Sequence, residues 1–450
     1  MIERRIDRQI EEHYRASSSS LLLTGARQTG KTFAIRKFAK ASGLKLVEIN
    51  FLENPEATTV FEGAKDAKEV LFRLSAYTNT VLEPGNTLIF FDEIQKFGDI
   101  VTWIKFLVDE GSYRYALSGS LLGVELKNIR SVPVGYMSVL DVYPLDMEEF
   151  FSAVGVSNSV LDSVRQAFLE KKPVDSVVHT SLMKLVGIYL VVGGMPAAVQ
   201  AYIDTNNLQT VRKCQSDILR LYKWDISQYD SGQKLGINEM FDLIPSELNS
   251  SNKRFVLKRL NEHARFQRYE NGFIWLKDAG VALPVYNVSE PKSPLKLNEE
   301  RNLFKFFQND VGLLSSQYAD GLALRIVSGD VNVNYGAVYE NLVAQELLAH
   351  GFELYYFNSK KYGELDFVLE TSEGVTPLEV KSGKDYERHN ALKNVMSCDN
   401  YQIKSAVVLT NDNLRMAGYV VYMPIYMLMF IWRFVESKPQ IVIPDLTGLV

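Results

Sequence analysis

The run Gly25-Ala26-Arg27-Gln28-Thr29-Gly30-Lys31-Thr32 has the residue types and spacing of a loop that wraps phosphate groups. Its glycines let the backbone curl so that successive N–H groups point inward at an anion. A helix pattern starting at Lys31 adds the positive end of its dipole. Lys31 would neutralise the outer phosphates, and the Thr32 hydroxyl would face Mg²⁺. A second constellation, Leu88-Ile89-Phe90-Phe91-Asp92-Glu93, places two carboxylates at the end of an apolar strand. Open α/β sheets bind ligands at that end. Asp92 is expected to hold the Mg²⁺ and Glu93 to polarise the attacking water, so the pair of motifs predicts ATP hydrolysis. Ala116-Leu117-Ser118-Gly119-Ser120 sets small hydroxyls at another strand end, where Ser118 is placed to sense the γ-phosphate.

A third group lies near the C-terminus. Glu379 and Lys381 are two apart on a predicted strand and so share a face. A hairpin through Thr371–Thr376 would bring Asp366 alongside, and Glu340 on a predicted helix over 335–350 adds a further carboxylate. Two or three carboxylates and a lysine on one face form a place for a hard divalent cation, Mg²⁺ or Mn²⁺, that could serve phosphodiester cleavage. The same residues also fit a folded domain that only binds, or a salt-bridged strand face. A fourth group, Lys253, Arg254, Lys258, Arg259, Arg265 and Arg268, stands against one acid, Glu262. It is a candidate nucleic-acid face, for DNA ahead of RNA, or else a solvated helix surface.

The elements that must position these groups follow from periodicity. Apolar runs at Leu21–Thr24, Leu44–Asn50, Leu88–Phe91 and Tyr115–Ser118 alternate with helical stretches, as in a parallel α/β sheet to about Phe151. Residues 157–230 read as helices broken at Gly193-Gly194-Met195-Pro196. A smaller helical unit over 234–288 closes on a strand at Ala282–Val288, with a linker at Pro291–Pro294. Asn298–Asp310 reads as mixed and helical. After Tyr335 come a helix, three strands, a charged helix over 385–396 and a strand over 405–410.

At 450 residues the chain is too long for one typical core. Its 46% hydrophobic and 23% charged residues suit a soluble globular protein, and the net charge of −5 gives no global attraction to nucleic acid. Cys214 and Cys398 have no metal-binding spacing, and a reducing compartment fits. The N-terminus lacks the apolar segment of a secretory signal. Val420–Ile431 is too short to span a bilayer and holds Pro424, so it reads as a buried strand and the expected location is cytoplasmic.

The motifs at Gly25–Thr32, Phe91–Gln95, Leu117–Ser120 and Tyr143-Pro144-Leu145-Asp146-Met147-Glu148-Glu149-Phe150 resemble AAA+-type ATPases. With Gly193–Pro196 and Asp310-Val311-Gly312-Leu313-Leu314 they are similar to the prokaryotic subgroup carrying an uncharacterised C-terminal (DUF4143-type) region. Glu340, Asp366, Glu379 and Lys381 resemble the PD-(D/E)xK nuclease pattern. The resemblance implies an α/β P-loop AAA+-like domain (1–155), a helical lid (156–233), a winged-helix-like unit (234–295) and a restriction-nuclease-like α/β domain (296–450). The function it implies is an ATPase acting on nucleic acid, coupled to metal-dependent cleavage. The alternative is an ATP-driven switch whose nuclease-like domain is inactive and binds a protein partner. Relatives carry a Gly-Arg pair where this chain has Gly135-Tyr136, so an arginine finger would have to come from Arg130 or Arg114.

Overall fold

A computed structural model gives the structure of the protein and describes residues 2–120, 135–229, 234–250, 253–256, 266–327, 336–383 and 385–433. Strands β1 (Ser20–Thr24), β2 (Lys45–Asn50), β3 (Thr87–Asp92), β4 (Arg114–Ser118) and β5 (Met137–Asp141) form a parallel sheet in the order β2-β3-β4-β1-β5. Alternation along the strands sorts two cores onto its two faces. Leu21, Leu23, Leu88, Phe90 and Ala116 pack with helices α1 (Arg5–Ala16) and α2 (Lys31–Ser42). Leu22, Ile89, Phe91 and Leu117 pack with α3 (Ala67–Tyr77) and α4 (Ile100–Glu110). Covering both faces is why β3 reads as an unbroken apolar run.

Helices α5 (Met147–Ala153), α6 (Asn158–Glu170), α7 (Ser176–Val192), α8 (Pro196–Thr205) and α9 (Leu208–Gln228) follow. Gly193 ends α7, and Pro196 at the first turn of α8 has no N–H to waste there. Then come α10 (Lys234–Leu248), α11 (Phe266–Asp278) and strands β6 (Ala282–Val288) and β7 (Glu299–Gln308).

Two expectations change here. Asn298–Asp310 is not helical: Glu299–Gln308 is a strand antiparallel to β6. The aromatic run Leu303–Phe307 favours a pleated surface, and from Phe304 onward it is buried. Pro291–Pro294 is therefore the connection of a β-hairpin, and the boundary drawn between 295 and 296 cuts through that hairpin. β6 also pairs with β8 (Tyr355–Ser359), which pairs with β9 (Gly363–Leu365), so the strand expected to close the winged-helix-like unit belongs to a four-stranded sheet β7-β6-β8-β9.

Short helices α12 (Val311–Ser316) and α13 (Asp320–Val327) lead to α14 (Gly336–Ala349), which is buried from Ala337 to Leu347. A third sheet, β10-β11-β12-β14-β13, is built from β10 (Phe367–Thr371), β11 (Gly374–Val380), β12 (Ala406–Thr410), β13 (Arg415–Ala417) and β14 (Val420–Pro424). α15 (Asn390–Met396) precedes β12 and is shorter than the helix expected over 385–396. The apolar tail splits into β14 and a buried 3₁₀ turn, Ile425–Phe430. Among the described residues no helix is long and apolar enough to cross a membrane.

Candidate nucleotide site and carboxylate–lysine cluster

The Gly25–Thr32 loop joins the end of β1 to the start of α2. Gly25 sits at φ +127°, where a Cβ would lie 2.4 Å from the Val142 carbonyl oxygen, and Gly30 sits at φ +94°. Both positions need glycine, because an L side chain is strained there and at Gly25 has no room. Lys31 bends back to donate to the carbonyls of Gly25 (2.9 Å) and Ala26 (2.8 Å). Burial pulls its pKa down to about 8, with Glu93 and Asp92 holding it up against that pull.

Asp92 ends β3 next to the loop. It accepts from the Thr32 hydroxyl (3.0 Å), the Asn50 amide (3.3 Å) and the Ser118 hydroxyl. Burial raises its pKa, and the Ser118 and Thr32 hydrogen bonds oppose the rise. Thr32 and Asp92 thus face one another as oxygen donors, the pair that would hold a Mg²⁺. Ser118 lies beneath Asp92 and is engaged by it. Glu93 takes the left-handed conformation, φ +56°, which turns it off the strand; it accepts from Gln95 and from the Ser120 hydroxyl (3.3 Å).

Sequence reading missed the partners that clasp this loop from elsewhere in the chain. Arg27 pairs with Asp225 of α9 (2.9 Å), and the Tyr222 hydroxyl donates to the Arg27 carbonyl (3.3 Å). Arg4 donates to the carbonyls of Thr29 (2.7 Å) and Tyr143 (2.8 Å) and pairs with Glu149 (3.3 Å). The turn at Gly280 after α11 comes so close that a Cβ there would lie 3.1 Å from the Ala26 nitrogen. Only the charges of Arg4 and Asp225 could have signalled these contacts, and charges at such separations are everywhere in the chain.

A cavity of about 220 Å³ opens beside Gly30, walled by Ile2, Phe33, Ala34, Leu145 and Pro196. A larger one, about 510 Å³, runs between Thr24–Ala26, Lys277, Gly280 and Glu346. Gly25, Ala26 and Thr29 of the loop line the larger cavity, whereas Lys31, Thr32, Asp92 and Glu93 do not. Tyr136 lies under the Lys105 ammonium, 5.5 Å from the ring centre; Arg114 is exposed at the start of β4, and Arg130 lies outside the described residues.

The C-terminal residues come together as a hairpin predicts. β10 and β11 pair antiparallel, and Asp366 accepts from the Val380 N–H (2.9 Å). Lys381 pairs with Glu379 (2.9 Å). Burial and then Asp366 push the Glu379 carboxyl up to about 8; Lys381, which burial alone would lower, is raised by Glu379 and Asp366. Glu340, on α14, is buried beside Lys253 and 3.6 Å from Lys305, a fully buried β7 lysine that also pairs with Glu364 (2.8 Å).

These carboxylates do not make the metal-ligand set expected of them. Among the described residues no group of three or more His, Cys, Asp or Glu could hold a metal ion. The physical reason is that lysines already compensate the charge: Lys253 and Lys305 at Glu340, and Lys381 at Glu379. Two residues of the basic stretch have described side chains, and both face inward. Lys253 turns inward to Glu340, and the Arg254 guanidinium lies 5.9 Å from the Tyr356 ring centre. Lys258, Arg259 and Arg265 lie outside the described residues, as does the side chain of Arg268.

Three stretches match known families: residues 17–151 an "AAA domain", residues 183–323 a "Domain of unknown function (DUF8612)" and residues 335–428 a "Domain of unknown function (DUF4143)". No curated protein matches. Among solved structures, a Walker-type ATPase of Pyrococcus abyssi is 14% identical, with 70% of this chain and 96% of that one covered and a TM-score of 0.40. The Orc1 protein of Aeropyrum pernix, solved with DNA, is 16% identical, with 73% and 93% covered and a TM-score of 0.29. A STAND protein of Pyrococcus horikoshii with a tetratricopeptide repeat sensor is 11% identical, with 78% and 45% covered and a TM-score of 0.28. The parallel sheet, the loop at Gly25–Thr32 and the first match define an AAA+-type P-loop domain in the first third of the chain. A DUF4143 region lies at the other end.

Proposed function

We propose that the protein is an ATP-hydrolysing switch. The observation that carries this is the clasping of the phosphate loop at Ala26, Arg27 and Thr29 by three separate elements: the turn after α11, helix α9 and the N-terminal Arg4. A nucleotide that reshapes the loop must move its neighbours, and conversely their positions bias its affinity. Lys31 would turn from the loop carbonyls to the phosphates, and Thr32 and Asp92 would hold a Mg²⁺, which would supply neutralisation of the phosphate charge. Glu93 orients and polarises the water. The apolar slot beside Gly30 suits the base. Lys31→Ala should abolish nucleotide binding, because no other side chain of the loop brings a cation onto the phosphates from this position. Fluorescent-nucleotide titration of the purified mutant tests this, and parental affinity would remove the assignment.

The C-terminal region acts in this proposal as a nuclease-like scaffold that presents or hides a partner surface; in the conformation described, lysines stand where a cation would be needed for cleavage. Nucleic acid, DNA ahead of RNA, stays proposed as what the basic stretch meets, through Lys258, Arg259, Arg265 and Arg268. Reversing Lys258, Arg259 and Arg265 to Glu should flatten the salt dependence of DNA binding by a slope of about 3, one counterion per lost phosphate contact. An unchanged slope would make the stretch a solvated surface.

A further inference from the structure

Arg4 and Arg5 are consecutive, yet they reach different parts of the chain. Arg4 holds the phosphate loop through the Thr29 carbonyl (2.7 Å) and the start of α5 through Glu149 (3.3 Å). Arg5 opens α1 and pairs with Asp146 (2.8 Å) and Glu148 (2.5 Å). Its guanidinium also lies over Trp432, 4.4 Å from the ring centre. Trp432 in turn stacks on His350, just past α14, with ring centres 3.9 Å apart. Glu148 is shared with Arg165 of α6, which lies 4.6 Å from the Phe430 ring centre. The aromatic residues after β14 are thus held by the same short acidic segment that anchors Arg4.

These groups cannot shift one at a time. Asp146 and Glu149 are buried and cap α5 together: Asp146 accepts from the Glu149 N–H (2.8 Å) and Glu149 from the Asp146 N–H (3.3 Å). Glu149 also accepts from the Arg5 N–H (2.6 Å), so one helix start fixes both arginines. Burial would raise the Asp146 carboxyl, but Arg5 and then His350 bring it below its usual value. Withdrawing Arg5 would leave that buried charge without its main partner, which is costly. On α14, Glu346 accepts from the Met147 N–H (2.9 Å), so the C-terminal region grips the same helix start. A displacement of Arg4 is carried to Arg5, and from Arg5 to Trp432.

We propose that Arg4 and Arg5 form a relay through which nucleotide at Gly25–Thr32 and the packing of Trp432 control one another, a coupling that rests on the ATP-switch reading of this site and specifies its regulation. In the conformation described, Lys31 is engaged by the Gly25 and Ala26 carbonyls while Arg4 holds that of Thr29. Lys31 has to leave those carbonyls to reach phosphate, so whatever fixes the loop in this form opposes nucleotide binding. Loosening the relay at Trp432 therefore tightens nucleotide at the loop, and by reciprocity nucleotide loosens Trp432. The Ile431 and Arg433 N–H groups, bonded to the Leu428 (3.0 Å) and His350 (3.2 Å) carbonyls, report that loosening by hydrogen exchange.

The test titrates the full-length protein with a fluorescent, non-hydrolysable ATP analogue and Mg²⁺, alongside hydrogen exchange of the 425–433 peptide. Trp432→Leu should tighten the analogue about fivefold or more, the low end of ordinary coupling between sites. Trp432→Phe keeps a ring beneath Arg5 and should behave as the parent. In an Arg4→Met background Trp432→Leu should have little further effect, because the relay is already cut, whereas unconnected effects would add. The analogue should speed exchange of the peptide in the parent, and Arg5→Met should lose this response while still binding. Equal tightening by Trp432→Leu in both backgrounds, or parental affinity in it while Lys31→Ala cannot bind, would overturn the relay and leave the nucleotide site standing. A parent that binds no analogue would overturn the ATP-switch reading and this inference together.

Discussion

Replacing Glu93 with Gln is expected to leave ATP bound and slow its hydrolysis by about 10²- to 10⁴-fold, the usual worth of a positioned general base. The two carboxylates at the end of β3 have different surroundings, and that difference assigns their roles. Asp92 is nearly fully buried and committed to Thr32, Asn50 and Ser118, so it is a holder. Glu93 is turned off the strand by its left-handed backbone, and among the described residues its carboxylate accepts from Gln95 and Ser120. An amide there keeps the shape and a hydrogen bond but cannot draw a proton from water. Single-turnover hydrolysis beside nucleotide titration separates the two steps. Hydrolysis near the parental rate with binding intact would mean that another group orients the water.

What could be read from the sequence was what is local. Gly25–Thr32 and Leu88–Glu93 each carry their chemistry within eight residues, and strand periodicity places them without knowledge of the rest. The hairpin joining Asp366 to Glu379 was legible for the same reason: a short turn fixes its register. The misreadings arose where neighbours far along the chain decide. Glu299–Gln308 mixes charges and aromatics in no clean period, and it is a strand because β6 pairs with it and the phenylalanines of the hairpin pack together. Lys253 looked like one of six surface cations, yet a carboxylate 87 residues away turns it inward. Lys305 carries no signal in the sequence, since a lysine in a strand is ordinarily at the surface, and Glu340, Glu364 and Asp366 make its burial tolerable.

Two motifs without assigned chemistry, Gly193–Pro196 and Asp310–Leu314, are two halves of one contact. Asp310 caps α12 through the Leu313 N–H (2.9 Å) and reaches across to the Gly194 N–H (2.6 Å). A Cβ on Gly193 would fall 2.2 Å from Asp310, and one on Gly312 would fall 2.5 Å from the Val192 carbonyl oxygen, so the backbones meet with no room for side chains. Asp310→Ala should therefore destabilise the protein by about 2–4 kcal/mol, two buried N–H groups losing their acceptor. The loss should depend on pH. Burial raises the Asp310 pKa from 3.8 to about 6, with the backbone N–H groups opposing the rise. Between those values the folded state binds the proton more than the unfolded state does, so stability falls as pH climbs from about 4 through about 6 and is level above. Alanine removes that slope, so the parent's advantage in thermal midpoint should be larger at pH 5 than at pH 7.5. The opposite order, with the mutant still folded, would mean that the carboxylate is better stabilised ionised than its burial allows. A mutant as stable as the parent at both would show that the joint between α7 and α12 is held by its glycines alone.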